Sequence, residues 1–168
     1  MQIVHYPDPV LRQIADPVTE ISEEIRRAVG EMFELMYEAP GVGLAAPQVG
    51  WCVRLFVVNP AAHPDEGEEY VFINPKITGK KGATFADEGC LSIPGVMGSV
   101  RRAKSIQMEA TDLEGKRFRI DAQDLLARII QHEQDHLDGI LFTDKVSDVD
   151  RPGIERQLES IQSPPQPQ

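Results

Sequence analysis

The chain has 168 residues, enough for one domain with a sizeable core and too few to expect two. A hydrophobic fraction of 41% and a charged fraction of 26% are those of an ordinary globular protein and exclude a disordered or fibrous one. A net charge of -10 and a pI near 4.8 argue against a nucleic-acid footprint, so no direct nucleic-acid site is expected. No apolar run of about eighteen residues exists, and Met1-Gln2-Ile3-Val4-His5 lacks the pattern of a secretory signal, so no membrane span is expected and the cytoplasm is the expected compartment. In that reducing setting Cys52 and Cys90 are poor disulfide candidates, and each reads as a buried apolar residue or a ligand.

Taken in chain order, the first long helix is expected over residues 22 to 38. Ser22 can cap it, Glu23 and Glu24 suit its positive end, and Ile25, Ala28, Val29, Met32, Phe33 and Met36 recur at three and four. Pro40 closes it, and Gly41-Val42-Gly43-Leu44-Ala45-Ala46-Pro47-Gln48-Val49-Gly50 reads as a loop whose glycines allow close approach to a ligand. Val53 to Val58 is an apolar run expected to be a buried strand, with Cys52 as a core residue of it. Shorter strands are expected over Tyr70 to Ile73 and Lys76 to Gly79. The stretch Glu88-Gly89-Cys90-Leu91-Ser92-Ile93-Pro94-Gly95 reads as fixed, irregular backbone. Ile106, Met108 and Ala110 alternate with polar residues, as do Phe118 and Ile120, and Asp112-Leu113-Glu114-Gly115 forms the turn between them.

Leu125, Leu126, Ile129 and Ile130 set the apolar face of a second helix from about Asp124 to Leu137, with Gly139 placed to end it. A weak last helix is expected after Pro152, carrying Ile154, Leu158 and Ile161. These elements predict an α+β fold, with short antiparallel strands packed around a central helix and flanked by an N-terminal and a weak C-terminal helix. Residues 1–162 are expected to form a single catalytic domain, followed by a Pro/Gln-rich tail at 163–168.

The central helix carries His132-Glu133-Gln134-Asp135-His136, the pattern H-E-x-x-H. Four residues of helix turn through about 400°, so the two imidazoles project within about 40° of each other and can converge on one ion. Glu133, turned about 100° from His132, can stand beside the ion and take a proton without ligating. The bland reading is two exposed helix histidines among acids. A third ligand is needed, and the spacing of a metzincin fails because Phe142 stands where its last histidine belongs. A thermolysin-like site would use Glu155 or Glu159. Cys90 is the remaining soft donor, and Cys-His-His with one open position suits a catalytic metal.

Three motifs in order, Gly41 to Gln48, Glu88 to Ser92 and Gln131 to His136, resemble those of the peptide deformylase family, and the similarity in layout runs from His5 to Phe142. The resemblance implies removal of the formyl group from the N-terminal formyl-methionine of newly synthesised polypeptides. It implies one divalent metal ion on Cys90, His132 and His136, iron(II) in the usual cellular form, with zinc, nickel or cobalt able to substitute. Glu133 is implied as the base, with the side-chain amide of Gln48 and the backbone N–H of Leu91 stabilising the oxyanion. Backbone near Val42, Gly43, Leu44 and Gly89 would pair with an extended peptide, while Val42, Leu125, Ile129 and His132 match positions lining a methionine pocket. Glu88 would brace the site. Arg128 falls where several relatives carry an aliphatic residue, and its stem is expected at the pocket rim with its charge in water. A transient contact with the ribosome is also expected. The competing readings are a zinc peptidase of H-E-x-x-H type and a metal-stabilised binding protein without catalysis.

Overall fold

Ser22 starts the first helix as its sequence suggests. Its hydroxyl accepts a hydrogen bond from the Ile25 N–H at 3.4 Å, with Glu23 and Glu24 in the first turn. This computed structural model describes residues 1–162, and the expected tail at 163–168 lies outside them. Helix α1 (Glu23–Glu38) buries Ile25, Val29, Met32 and Met36 in a cluster with Leu44, Leu55, Val57 and Ile73. The periodic apolar stripe thus finds a sheet to cover.

A five-stranded antiparallel sheet has the order β1 (Gly43–Ala45), β2 (Leu55–Val58), β3 (Tyr70–Lys81), β6 (Ser105–Thr111), β7 (Arg117–Gln123). Strand β1 lies inside the stretch read as a loop. Three residues between glycines and a proline carry no usable alternation, and the strand exists because Gly43, Leu44 and Ala45 pair with Val58, Val57 and Phe56. Strand β3 is one strand rather than two, since Asn74-Pro75 is absorbed as an irregularity in its pairing with β6. Asn74 takes φ 49° there, and its amide holds both the N–H and the carbonyl of Val18. The turn from β6 to β7 is as expected: the Asp112 side chain accepts from the N–H groups of Glu114 and Lys116. Cys52 is partly buried and precedes β2, so it packs on the core without being part of a strand.

The stretch expected to be irregular around Cys90 is instead a two-stranded antiparallel hairpin of β4 (Thr84–Cys90) and β5 (Ile93–Arg102). Exposed Phe85 and Asp87, together with Pro94 and Gly95, spoil the alternation that would have announced it. Pairing of the two strands with each other across Leu91 and Ser92 decides the outcome.

Helix α2 (Asp124–Leu137) packs Ala127, Ile129, Ile130 and Leu137 against Phe56, Phe72, Met108 and Ala110 of the sheet. Its end is a Schellman motif: the Gly139 N–H donates to the His136 carbonyl at 3.2 Å, and the Ile140 N–H to the Asp135 carbonyl at 2.9 Å. Helix α3 (Arg151–Gln162) begins one residue before Pro152, which sits in its first turn, and buries Ile154 with Val96 and Val100 of β5.

Gly139 has φ 72°, and a Cβ there would lie 2.5 Å from the Arg12 carbonyl oxygen. Gly139→Ala is therefore expected to destabilise the fold by about 2 kcal/mol or more, read as a lowered urea midpoint. An unchanged midpoint would mean that the Arg12 backbone yields freely.

Candidate active site

Helix α2 presents His132 and His136 on one side, with ring centroids 5.1 Å apart. From the end of β4, the Cys90 sulfur comes within 3.4 Å of His136 Nε2, and one donor atom each from Cys90, His132 and His136 lie within 4.8 Å of one another. Glu155 and Glu159, by contrast, are exposed on α3 and stand outside this group. Phe142, where a metzincin would place its histidine, is buried and stacks on the His132 ring at 6.0 Å.

Glu88, two residues before Cys90, lies with Oε1 2.9 Å from His132 Nδ1. That contact leaves Nε2 of His132 as the ring nitrogen free to face Cys90. The same carboxylate takes a two-pronged hydrogen bond from Arg102, at 2.9 Å on each oxygen, and one from Arg128 at 2.6 Å. Burial alone would raise the pKa of Glu88, but hydrogen bonds from His132 and Arg102, with their charges, outweigh it and bring it to about 2. For His132, burial disfavours charge, yet hydrogen bonds to Cys90 and Glu88 and the charge of Glu133 raise its pKa to about 10 in the metal-free protein. His136 moves the other way, because burial and the positive charges of His132 and Arg102 favour its neutral form.

Glu133 is buried, and its Oε2 has no hydrogen-bond partner among the described residues. Burial is the main reason its pKa rises to about 7, with His132 pulling it down and Glu88 pushing it up. Gly43 makes room for it, since a Cβ there would fall 2.9 Å from Glu133 Oε1. Gln48 is buried in a single orientation: its Oε1 accepts from the Ala45 N–H at 2.9 Å, which turns Nε2 toward the Cys90 sulfur at 3.4 Å and Ser92 Oγ at 3.2 Å.

A cleft of about 610 Å³ opens over these groups. Val42, Gly43, Gln48, Glu88, Gly89, Leu91, Leu125, Arg128, Ile129, His132 and Glu133 line it, all named from the sequence. The Leu44 side chain is fully buried in the α1 cluster and does not, so only its backbone in β1 is available to a substrate. A larger cleft of about 780 Å³ lies on another side of α2, beside Gln131, Gln134 and Asp135, and contains none of the three donors. Met97 also lines the active-site cleft and is exposed at it.

Arg128 corrects an expectation. Its side chain is only 12% exposed, and its charge is paired with Glu88 rather than held in water. The sequence also gave no sign of Arg102, buried between Glu88 and Asp135, or of Ser92 behind Gln48. An arginine ending a strand has no local signature of such a role.

The model of the polypeptide deformylase family matches residues 1–152. The chain belongs to the peptide deformylase family. A peptide deformylase of Acidobacterium capsulatum is 46% identical over 95% of this chain and 94% of its own length. The crystal structure of peptide deformylase 1B from Arabidopsis thaliana in complex with an inhibitor superposes with a TM-score of 0.92 at 45% identity, covering 96% of this chain and 90% of that one. One from Legionella pneumophila gives 0.88 at 41% identity, over 96% and 94%. The chain is accordingly a hydrolase that removes the formyl group from the N terminus of newly made peptides. Its convergent sulfur and imidazoles, with the unpartnered Glu133 oxygen beside them, fit one metal ion.

Because the folded-state pKa of Glu88 lies below its ordinary value of 4.5, the carboxylate stabilises the fold above that pH and the benefit is lost as pH falls toward 2. Urea unfolding of the metal-free protein at pH 5 and pH 2.5 should show a loss of about 2 kcal/mol that Glu88→Gln, already weaker at pH 7, does not show. Parallel losses in both proteins would assign the acid sensitivity to other carboxylates.

Proposed function

We propose that Cys90, His132 and His136 hold one divalent ion, iron(II) in the native enzyme, with zinc, nickel or cobalt able to substitute, and that Glu133 is the base that turns a water into the nucleophile. The observation that carries this reading is the meeting of three donors within 4.8 Å at a cleft, beside a buried carboxylate with one unpartnered oxygen. When bound, the ion supplies Lewis acidity that polarises a carbonyl oxygen and acidifies water.

Glu133 takes a proton from the attacking water and returns it to the amine nitrogen as the C–N bond breaks, leaving formate and a free N terminus. A pKa pushed up to about 7 suits a group that must both accept and donate near neutral pH. The Gln48 amide and the Leu91 N–H donate to the developing oxyanion, Gln48 being held in orientation by Ala45 and Ser92. Strand β1 is at the edge of its sheet, so backbone of Val42, Gly43 and Leu44 can pair with an extended peptide that Gly89 approaches from the other side. Val42, Leu125 and Ile129 supply apolar surface for a methionine side chain. A hydrolase of nascent chains meets its substrate as it leaves the ribosome, so a transient ribosome contact and a cytoplasmic setting belong to the same reading. No helix among the described residues is long and apolar enough to cross a membrane.

Glu133→Ala should keep its metal and lose more than about a hundredfold in turnover of a formyl-methionyl peptide. Cys90→Ala should lose the metal by mass spectrometry, while Glu155→Ala and Glu159→Ala change neither metal nor rate. Metal lost on altering either α3 glutamate, with Cys90→Ala silent, would instead favour the peptidase. For the ion itself, anaerobically prepared iron(II) enzyme should turn over faster than zinc enzyme and decay in air, because iron and the thiolate can be oxidised while zinc is redox-inert. Equal rates with no decay in air for either would reject iron(II).

A further inference from the structure

The donors to the metal come from two separate elements, Cys90 from β4 and the two histidines from α2. Something must keep those elements in register to well under the length of a metal bond. Arg128, one turn before His132 on α2, spans the gap. One Nη1 hydrogen goes to Glu88 Oε2 at 2.6 Å and the other to the Val100 carbonyl at 3.0 Å, while Nη2 serves the carbonyl and hydroxyl of Thr84 at 3.0 Å each. All four Nη hydrogens are thus engaged by β4 and β5, leaving none of them for a substrate.

The geometry at Glu88 gives this a direction. Arg102 holds both carboxylate oxygens, through Nε and Nη2, from β5 of the same hairpin as Glu88. Arg128 reaches Oε2 from α2, the helix that carries His132, and so ties Glu88, with its Oε1 contact to His132 Nδ1, to that helix. We propose that Arg128 is a positioning residue for His132, a cross-brace that locks Glu88 and thereby the angle at which His132 meets the ion. This rests on reading Cys90, His132 and His136 as the ligands. Arg128 touches no reacting atom, and its place in the cleft wall is secondary to the brace.

Cobalt(II)-loaded enzyme provides the test, because its visible bands report ligand geometry directly. Arg128→Leu keeps an apolar wall and removes the brace, and it should lose cobalt to a chelator about tenfold faster or more, with shifted bands, a lower kcat and a KM for formyl-methionyl peptide within about twofold. Arg128→Lys keeps a charge near Glu88 without the fork and should recover only part of the retention. A raised KM with unchanged bands and unchanged metal loss would overturn the proposal and make Arg128 a wall of the substrate cleft. If Arg128→Leu does not fold, Thr84→Val removes one acceptor of the brace while the Thr84 carbonyl still holds Nη2, and it should speed metal loss about threefold; no change there would equally overturn it. Cys90→Ala separates the two readings. Loss of cobalt in Cys90→Ala with none in Arg128→Leu rejects the brace alone, whereas full retention in Cys90→Ala rejects the ligand set on which it rests.

Discussion

A single buried carboxylate holds the active site together. Glu88 on β4 is bound by two arginines and a histidine from two other elements, Arg102 on β5 and Arg128 and His132 on α2. Burying that charge is costly in isolation, and only saturating it with donors makes it tolerable. Since the donors come from both sides of the site, satisfying Glu88 also brings the hairpin and the helix into register. Asp135 extends the network by pairing with Arg102 and Lys145. The hairpin has few apolar contacts with α2, so polar pairing here does work that packing does elsewhere.

The same arrangement sorts four neighbouring titratable groups into different states. Glu88 is surrounded by donors and stays ionised, at about 2, whereas Glu133, buried with one unpartnered oxygen, rises to about 7. Two carboxylates one shell apart are separated by their surroundings alone. Burial, with the positive charges of His132 and Arg102, favours the neutral form of His136, whereas His132, despite its burial, is pushed toward its charged form by hydrogen bonds to Cys90 and Glu88 in the metal-free protein.

Access follows from the sheet. Strand β1 pairs with β2 on one side only, and its first residue, Gly43, lines the cleft beside Cys90 and His132. Its shortness protects that edge from pairing with other chains, and Gly43 lets Glu133 come close enough to face whatever pairs there. The apolar residues of α2 divide accordingly: Ala127, Ile130 and Leu137 serve the core, while Leu125, 54% exposed, lines the cleft.

Helix α1, helix α2 with its glycine stop, the β6–β7 hairpin and the convergence of His132 and His136 on one helix face were all legible in the sequence. Each depends on local rules: a cap, a 3.6-residue period, an Asx turn, or four residues of helix bringing two imidazoles together. Strands β1, β4 and β5 were not legible, because their pairing partners, not their own alternation, make them strands. The third ligand needed the family's motif, since nothing local distinguishes Cys90 from a buried thiol. Tertiary structure alone decided that Arg128 turns inward, that Arg102 lies beneath the site, and that Glu155 and Glu159 stay out of it. A charged side chain's direction depends on where an opposite charge is buried, and that is set by elements distant in sequence.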